Sequence, residues 1–380
     1  MPALQKSAEP RPLRLLLVVD SLGVGGTERH VVDLAISLSR EGYAVTVACS
    51  VAGPFAESLA ASGIPVEALV GRLVKRRVSP TYVRRLARLM RSERYDLVHA
   101  HIYASAAAAA VATLGTHVPL VVTEHTEGVW QDRRARLVSR SVYRRAEHVI
   151  AVSGAIQCRL LRRDGVAPEK VTKIPNAVVT LPEEPGPLDP LPEELREGAL
   201  AGVVARLQPE KGVDVFLEAA SRVASLMPEA RFAVIGDGPL RAELEGLTRR
   251  LDLEDKVSFL GHRPDARALM GMLDVIAVPS VTEGAPLVVL EAMAAAAPIV
   301  ASHVGGIPDQ VRDGEEALLV PPLDPDALAG AILHLLRDPS RARDLGEAAR
   351  RRRLGVRPRR DGAPYRGGLP PRSAASSPTR

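Results

Sequence analysis

Short apolar runs alternate with longer helical stretches along nearly the whole chain, and this alternation decides what the chain can fold into. Apolar runs of about 4–8 residues, bounded by turn signals, read as strands buried on both faces. Parallel sheets covered by helices on each side are the architecture that requires such strands. In the first half, strands are expected at 13–19, 44–49, 97–100, 120–123 and 148–152; in the second, at 199–205, 231–235, 257–260, 275–278, 299–301 and 317–320. Two doubly wound α/β domains follow. Between them, five prolines fall within residues 181–192, which forbids a regular helix or a central strand. The expected organisation is an N-terminal domain at 1–180, a Pro-rich linker at 181–198, a C-terminal domain at 199–349 and an Arg-, Pro- and Gly-rich tail at 350–380. The tail's composition buries too little apolar surface to order itself.

Length and composition agree with two domains. At about 150 residues per domain, 380 residues exclude a lone small binding module. A content of 46% hydrophobic and 25% charged residues excludes wholesale disorder. Cys49 and Cys158 are the only cysteines and neither sits in a CxxC or Cys/His cluster, so neither a disulfide framework nor a structural zinc site is expected, and a cytoplasmic location fits. No stretch reaches the roughly 18–20 apolar residues that span a bilayer. The apolar opening superficially resembles a signal peptide, but Asp20 and a glycine loop follow it, so it reads as a buried strand. Charge is unevenly spread: residues 1–190 carry 25 Lys and Arg against 18 Asp and Glu, whereas residues 191–349 carry 15 against 26. A basic front half suits an anionic partner. With 3% aromatic residues and no recognised module, nucleic acid is not that partner.

Three segments carry chemistry. The first strand ends at Asp20 and runs into Gly23, Gly25 and Gly26 ahead of a helical pattern, where small residues let backbone N–H groups approach an anion at a helix N-terminus. Glu28 stands where the dinucleotide fingerprint needs glycine, and a tight strand-to-helix turn explains the glycines equally well. The strand expected at 199–205 leads directly to Arg206 and Lys211, at the carboxyl edge where open α/β sheets bind ligands. Arg grips phosphate through paired hydrogen bonds and Lys adds a point charge, although both also read as solvated surface charges. Glu283 and Glu291 stand eight apart around Gly284, Ala285, Pro286, Leu287 and Val288. Glu283 falls in a loop able to face a crevice. Glu291 lies about two turns into a helix, either as a surface charge or as a ligand for a hydroxyl pair.

Taken together, Arg206 and Lys211, the Glu283/Glu291 pair with its Gly-Ala-Pro-Leu-Val core, Gly236 to Pro239, Gly261 to Arg263, Val304 to Asp309 and Ile174 to Ala177 occur in an order that resembles family 4 of the retaining glycosyltransferases. The resemblance covers roughly residues 13–349. It implies a GT-B fold, two Rossmann-like domains facing across a cleft, with the acceptor mainly on the first and a nucleotide-sugar donor, UDP- or GDP-linked, mainly on the second. By resemblance, Arg206 and Lys211 clamp the donor diphosphate, Glu283 touches the transferred sugar and Glu291 holds the ribose. Backbone N–H groups near Ala285 to Val288, a stretch that includes Pro286 and Leu287, border the phosphates, Gly236 and Arg263 lie near the base, and Gly25 and Gly26 let the first domain close. His125 resembles the histidine beside the transferred sugar, and His101, with Glu124, belongs to the acceptor side.

His99 and His101 lack further ligands at metal-binding spacing, so no metal is expected. Asp324 and Asp326 match a metal-binding DxD superficially, but precede a helix where Asp is expected as an N-cap. The implied activity is metal-independent hexosyl transfer with retention to a glycan or lipid-linked sugar acceptor, in cell-surface polysaccharide, lipopolysaccharide or glycolipid assembly. An epimerase of the same fold, or a non-catalytic nucleotide-sugar binder, is the alternative. Residues 72–94 hold nine Lys and Arg against one acid, with Arg84, Arg88 and Arg91 on one helical face. This reads either as a solvated face or as peripheral contact with an anionic inner membrane surface. The sequence departs from the family pattern at Ala285, often aromatic, at Ala177, often glycine, and in a tail without the usual closing amphipathic helix.

Overall fold

Two parallel sheets dominate the computed structural model, which describes residues 11–75, 78–128, 132–178, 191–195 and 198–354. The first sheet contains β1 (Arg14–Ser21), β2 (Ala44–Val51), β3 (Val66–Ala68), β4 (Leu97–His101), β5 (Leu120–Glu124), β6 (His148–Ala151) and β7 (Val171–Lys173). Their spatial order is β3-β2-β1-β4-β5-β6-β7. Between them run α1 (Gly26–Arg40), α2 (Phe55–Ala61), α3 (Pro80–Ser92), α4 (Tyr103–Ala112), α5 (Arg133–Arg145) and α6 (Gly154–Cys158), the last continuing into a π turn at Arg159–Arg163.

The second sheet contains β8 (Leu200–Val204), β9 (Arg231–Ile235), β10 (Val257–Gly261), β11 (Val275–Val278), β12 (Ile299–Ser302) and β13 (Leu318–Val320), in the order β10-β9-β8-β11-β12-β13. Its helices are α7 (Val213–Leu226), α8 (Arg241–Arg250), α9 (Ala266–Met270), α10 (Leu287–Ala294), α11 (Ile307–Gln310), α12 (Pro325–Arg337) and α13 (Pro339–Arg353). Both sheets therefore reverse strand order once, between β1 and β4 and between β8 and β11. Such a reversal opens a crevice at the carboxyl edge.

Side chains alternate between the faces of each strand, which is why these runs are apolar throughout. On β1, Leu16 and Val18 join Tyr82, Leu86 and the alanines of α4, while Leu15, Leu17 and Val19 join Val31 and Val32 of α1. On β9, Phe232 and Val234 face Phe216 of α7, while Ala233 and Ile235 face Ile276 and Met293. The alanine run is thus core, and among the described residues no helix is long and apolar enough to cross a membrane. Along α3, Tyr82, Leu86 and Met90 are buried and Arg84, Arg88 and Arg91 are exposed, as the pattern requires.

Two short edge strands, β3 and β7, add to the five expected in the first sheet. Most of the linker expected at 181–198 lies outside the described residues, though Leu191 and Leu195 pack into the second core. The expected boundary at 349 falls inside α13; its end ties back to the first half, where the Arg353 guanidinium donates to the Val178 carbonyl at 2.9 Å. The rest of the tail also lies outside the described residues. Asp324 caps α12, accepting from the Ala327 amide at 2.9 Å, and Asp326 pairs with Arg222. Both cysteines are free.

Asp20 ties the end of β1 to the head of α4. Its buried carboxylate accepts from the Ser105 amide at 2.9 Å and the Ser105 hydroxyl at 2.6 Å. Burial pushes its pKa up to about 6, against the two Ser105 hydrogen bonds that lower it. The unfolded chain releases this proton near 3.8, so between 3.8 and 6 the folded form binds more protons and stability falls as pH rises, by about 3 kcal/mol in all. Asp20→Asn removes this titration. Thermal unfolding of both proteins at about pH 4 and about pH 7 should show the variant gaining on the wild type at the higher pH; an unchanged difference would contradict this.

Candidate active site

The two carboxyl edges meet where side chains are missing. A Cβ placed on Gly284, in the loop before α10, would lie 1.9 Å from the His125 carbonyl oxygen that follows β5. One on Gly306 would lie 2.7 Å from Cβ of Ser153, at the head of α6. Real Cβ atoms cannot approach so closely, so glycine at these positions allows the contact. Polar bonds flank it: Asn176 Nδ2 donates to the Ala285 carbonyl at 2.8 Å, and the Gly154 amide donates to Asp309. Lys173 lies 3.6 Å from Asp309, and the Thr282 hydroxyl 3.4 Å from Glu127. Gly26 brings the start of α1 to 3.9 Å from Leu287 at the start of α10, measured from the Cβ it lacks.

On the second domain, Arg206 and Lys211 both leave the carboxyl end of β8, Lys211 from a short 3-10 turn. The Arg206 guanidinium has no hydrogen bond or ion pair among the described residues. Lys211 is engaged: its ammonium donates to Glu283 Oε1 at 2.6 Å, and the Ser280 hydroxyl donates to the same oxygen at 2.9 Å. Glu283 itself is buried. Gly305, at φ +56°, packs on the Glu283 carbonyl and fixes the loop from behind. The head of α10 follows, with Pro286 extended and no side-chain cap, so its first N–H groups are left for another acceptor. Ala285 and Leu287 are buried there, and Val288 is half-buried.

Three further expected site residues also hold protein partners. Glu291 accepts from Arg267 Nε at 2.9 Å, Arg263 is braced by Asp265 at 2.7 and 2.5 Å, and buried Glu124 accepts from buried Arg159 at 2.9 Å. Burial opposes the charge on Arg159, but Glu124 and Asp164 outweigh it and hold the guanidinium ionised. Gly236 fits where any side chain would strike the Ala205 carbonyl, at 1.9 Å. Arg267, on α9, and Ser280, three residues before Glu283, had no type or spacing that singled them out, and Asn176 was read only as part of the 174–177 motif, with no role of its own.

The first domain contributes imidazoles. His99 and His101 end β4, His125 follows β5 and His30 stands in the second turn of α1. His101 Nδ1 and His125 Nε2 are 3.1 Å apart, and His99 Nε2 bonds the Thr123 hydroxyl at 2.7 Å. The ring centroids of His30 and His125 are 4.9 Å apart. Burial lowers all four: His30 to about 4, His99 to about 3, and His101 and His125 well below their ordinary value. His101 Nε2 is buried without a hydrogen-bond partner. Next to it, Ile102 adopts φ 68° and ψ 162°, a region essentially reserved for glycine, at a cost of about 1–3 kcal/mol. The expectation from spacing alone missed His30, whose only signal was its position five residues past Gly25, on the face of α1 that turns to the crevice.

Known proteins resemble both halves. The family described as Glycosyl transferases group 1 matches residues 193–352, and Glycosyltransferase Family 4 matches residues 24–180. A D-inositol 3-phosphate glycosyltransferase from Kineococcus radiotolerans is 31% identical over 394 residues, covering 87% of each chain. A phosphatidylinositol N-acetylglucosaminyltransferase polypeptide of Arabidopsis thaliana is 29% identical over 341 residues, covering 86% of this chain and 74% of the relative. The crystal structure of Anabaena HepE with UDP and glucose superposes with a TM-score of 0.77 at 23% identity, over 90% of this chain and 95% of that one; this last likeness is one of fold.

The glycine contact makes a direct prediction. Gly284→Ala should force the carboxyl edges apart while leaving each core intact. Solution X-ray scattering should record a larger radius of gyration, and thermal unfolding should show a loss of about 1–3 kcal/mol, the effect of overpacking at a buried position. An unchanged radius would show that the close approach does not hold the domains together.

Proposed function

Because the chain belongs to the group 1 glycosyltransferases, with a family 4 first domain, we propose that it moves a hexosyl group from a UDP- or GDP-linked donor to an acceptor hydroxyl with retention at the anomeric carbon. The observation that carries this reading is the Arg206 guanidinium, without a partner among the described residues, at the switch point of the second sheet, on the same carboxyl edge as Lys211, Glu283 and the uncapped head of α10. An anion placed there meets a guanidinium able to hold two oxygens, an ammonium and a helix N-terminus.

The chemistry follows from charge. Breaking the sugar–phosphate bond builds negative charge on the leaving diphosphate, and fixed positive groups stabilise that charge more than they stabilise the bound donor. Lys211 would leave part of its bond with Glu283 for the phosphate, freeing Glu283 to meet a sugar hydroxyl. The leaving phosphate would accept the acceptor's proton on the same face of the sugar, so no carboxylate nucleophile is required. His125, next to Gly284, would contact the sugar, and Glu291, with Arg267, the ribose. Turnover in this reading needs no divalent metal. The D-inositol 3-phosphate and phosphatidylinositol enzymes among the relatives favour an acceptor in glycolipid or other cell-surface glycan assembly. The exposed Arg84, Arg88 and Arg91 of α3 would face an anionic membrane carrying such an acceptor.

Thermal shifts with UDP, GDP and ADP test the donor site, since a ligand that binds only the folded state stabilises it by about 2.7 kcal/mol at 100 times its dissociation constant. One base should shift the wild type and lose its effect in Arg206→Ala and Lys211→Ala. Sugar release from the matching donor should persist in EDTA and fall by about 10²–10³ in Arg206→Ala. A folded protein that responds to no nucleotide would overturn the reading.

A further inference from the structure

His30, His101 and His125 converge from three separate segments of the first domain, α1, the end of β4 and the loop after β5. One ring nitrogen from each lies within 4.8 Å of one from each of the others. Two nitrogens bound to a single tetrahedral zinc at 2.0–2.1 Å stand about 3.4 Å apart. His101 Nδ1 and His125 Nε2, at 3.1 Å, already have that spacing. His30 is only half-buried, so its side chain can rotate to close the third side. We propose that these three histidines form a binding site for a divalent transition metal ion of the zinc type, and that the bound ion inhibits the enzyme.

The donor set decides the class of ion. Three imidazoles without a carboxylate suit zinc, cobalt, nickel or copper, and do not suit magnesium or calcium, which take oxygen ligands. Three protein ligands leave a fourth position open. In the metal-free protein two uncharged imidazoles share one hydrogen bond, between His101 Nδ1 and His125 Nε2. A cation bound there takes a lone pair from both nitrogens, where the hydrogen bond uses the proton of one and the lone pair of the other. His99 stacks on His101 with centroids 4.2 Å apart and is anchored on Thr123, which fixes the His101 ring from behind.

Inhibition follows from position. The His125 carbonyl rests against Gly284, beside Glu283, so an ion held by His125 stands on the floor of the cleft where the transferred sugar is expected. This part of the inference rests on the transfer reading above; the metal site itself does not.

Protein made without a polyhistidine tag and stripped with EDTA is titrated with Co²⁺ and followed by visible absorption. One equivalent should produce the intense band of four-coordinate cobalt, and Zn²⁺ should abolish it. His30→Gln should weaken Co²⁺ binding by roughly 100-fold or more, in line with the loss of a metal-holding group, whereas His99→Gln should keep the band. Anomalous diffraction at the zinc edge should place one peak among the three rings, which covers the case of a variant that fails to fold. With sugar release as readout, Zn²⁺ should slow the wild type, EDTA should restore it, and His30→Gln should be insensitive relative to its own metal-free rate. Absence of the band in folded wild type, or a band equally strong in His30→Gln, overturns the site; a band without zinc inhibition overturns the inhibitory role. A protein that binds cobalt yet releases sugar from no donor upholds the site and counts against the transfer reading instead.

Discussion

Every feature of the cleft depends on one constraint of parallel sheets: all strands point the same way, so every strand's carboxyl end lies at the same edge and the loops able to bind a ligand collect there. The reversal of strand order, between β1 and β4 in one sheet and β8 and β11 in the other, splits those loops apart and leaves a crevice. Arg206 follows β8, Glu283 follows β11, His101 ends β4 and Asp20 lies at the end of β1. Residues as distant in the chain as Gly26 and Leu287 become neighbours because the loops that carry them share this edge.

The two edges differ in electrostatic character. The second domain presents a guanidinium that has no partner among the described residues, a lysine held in check by Glu283 and an uncapped helix start. The first presents buried, uncharged imidazoles and a strained Ile102. On the function proposed above, a diphosphate would lie against the former and neutral hydroxyls against the latter. Arg159 buried with Glu124 and Asp164 supports the imidazole side from within, where a lone charge would not be tolerated.

The sequence made the fold legible wherever burial on both faces produced an unbroken apolar run. It failed at β3 and β7, which have three residues each and sit at sheet edges: Glu67, Thr172 and Lys173 are exposed, so neither the run nor an alternation could form. Site residues were legible when a glycine or a loop flagged them, as at Gly284 and Arg206. Pairings were not, because Lys211 and Glu283 are 72 positions apart and Glu124 and Arg159 are 35 apart. The histidine cluster was half legible: His99 and His101 stand out as a strand-end pair, but His30 looks like any polar residue of α1 until tertiary contact brings it to His125. Asp324 ran the other way, since its place before a proline-led helix announced a cap that the hydrogen bond to Ala327 displays.

The glycine contact between the domains also bears on entropy and rate. An interface formed by long side chains must freeze their rotamers each time it forms, at about 0.5–1.5 kcal/mol for each. Where Gly284 meets the His125 carbonyl, and Gly306 meets Ser153, backbone that is already ordered meets backbone or a short side chain, and almost no rotamer is fixed or released. At these two points closure therefore costs little side-chain entropy. That leaves the polar bonds of Asn176, Lys173 and Glu127 beside them, together with any bound ligand, to decide how long the cleft stays shut.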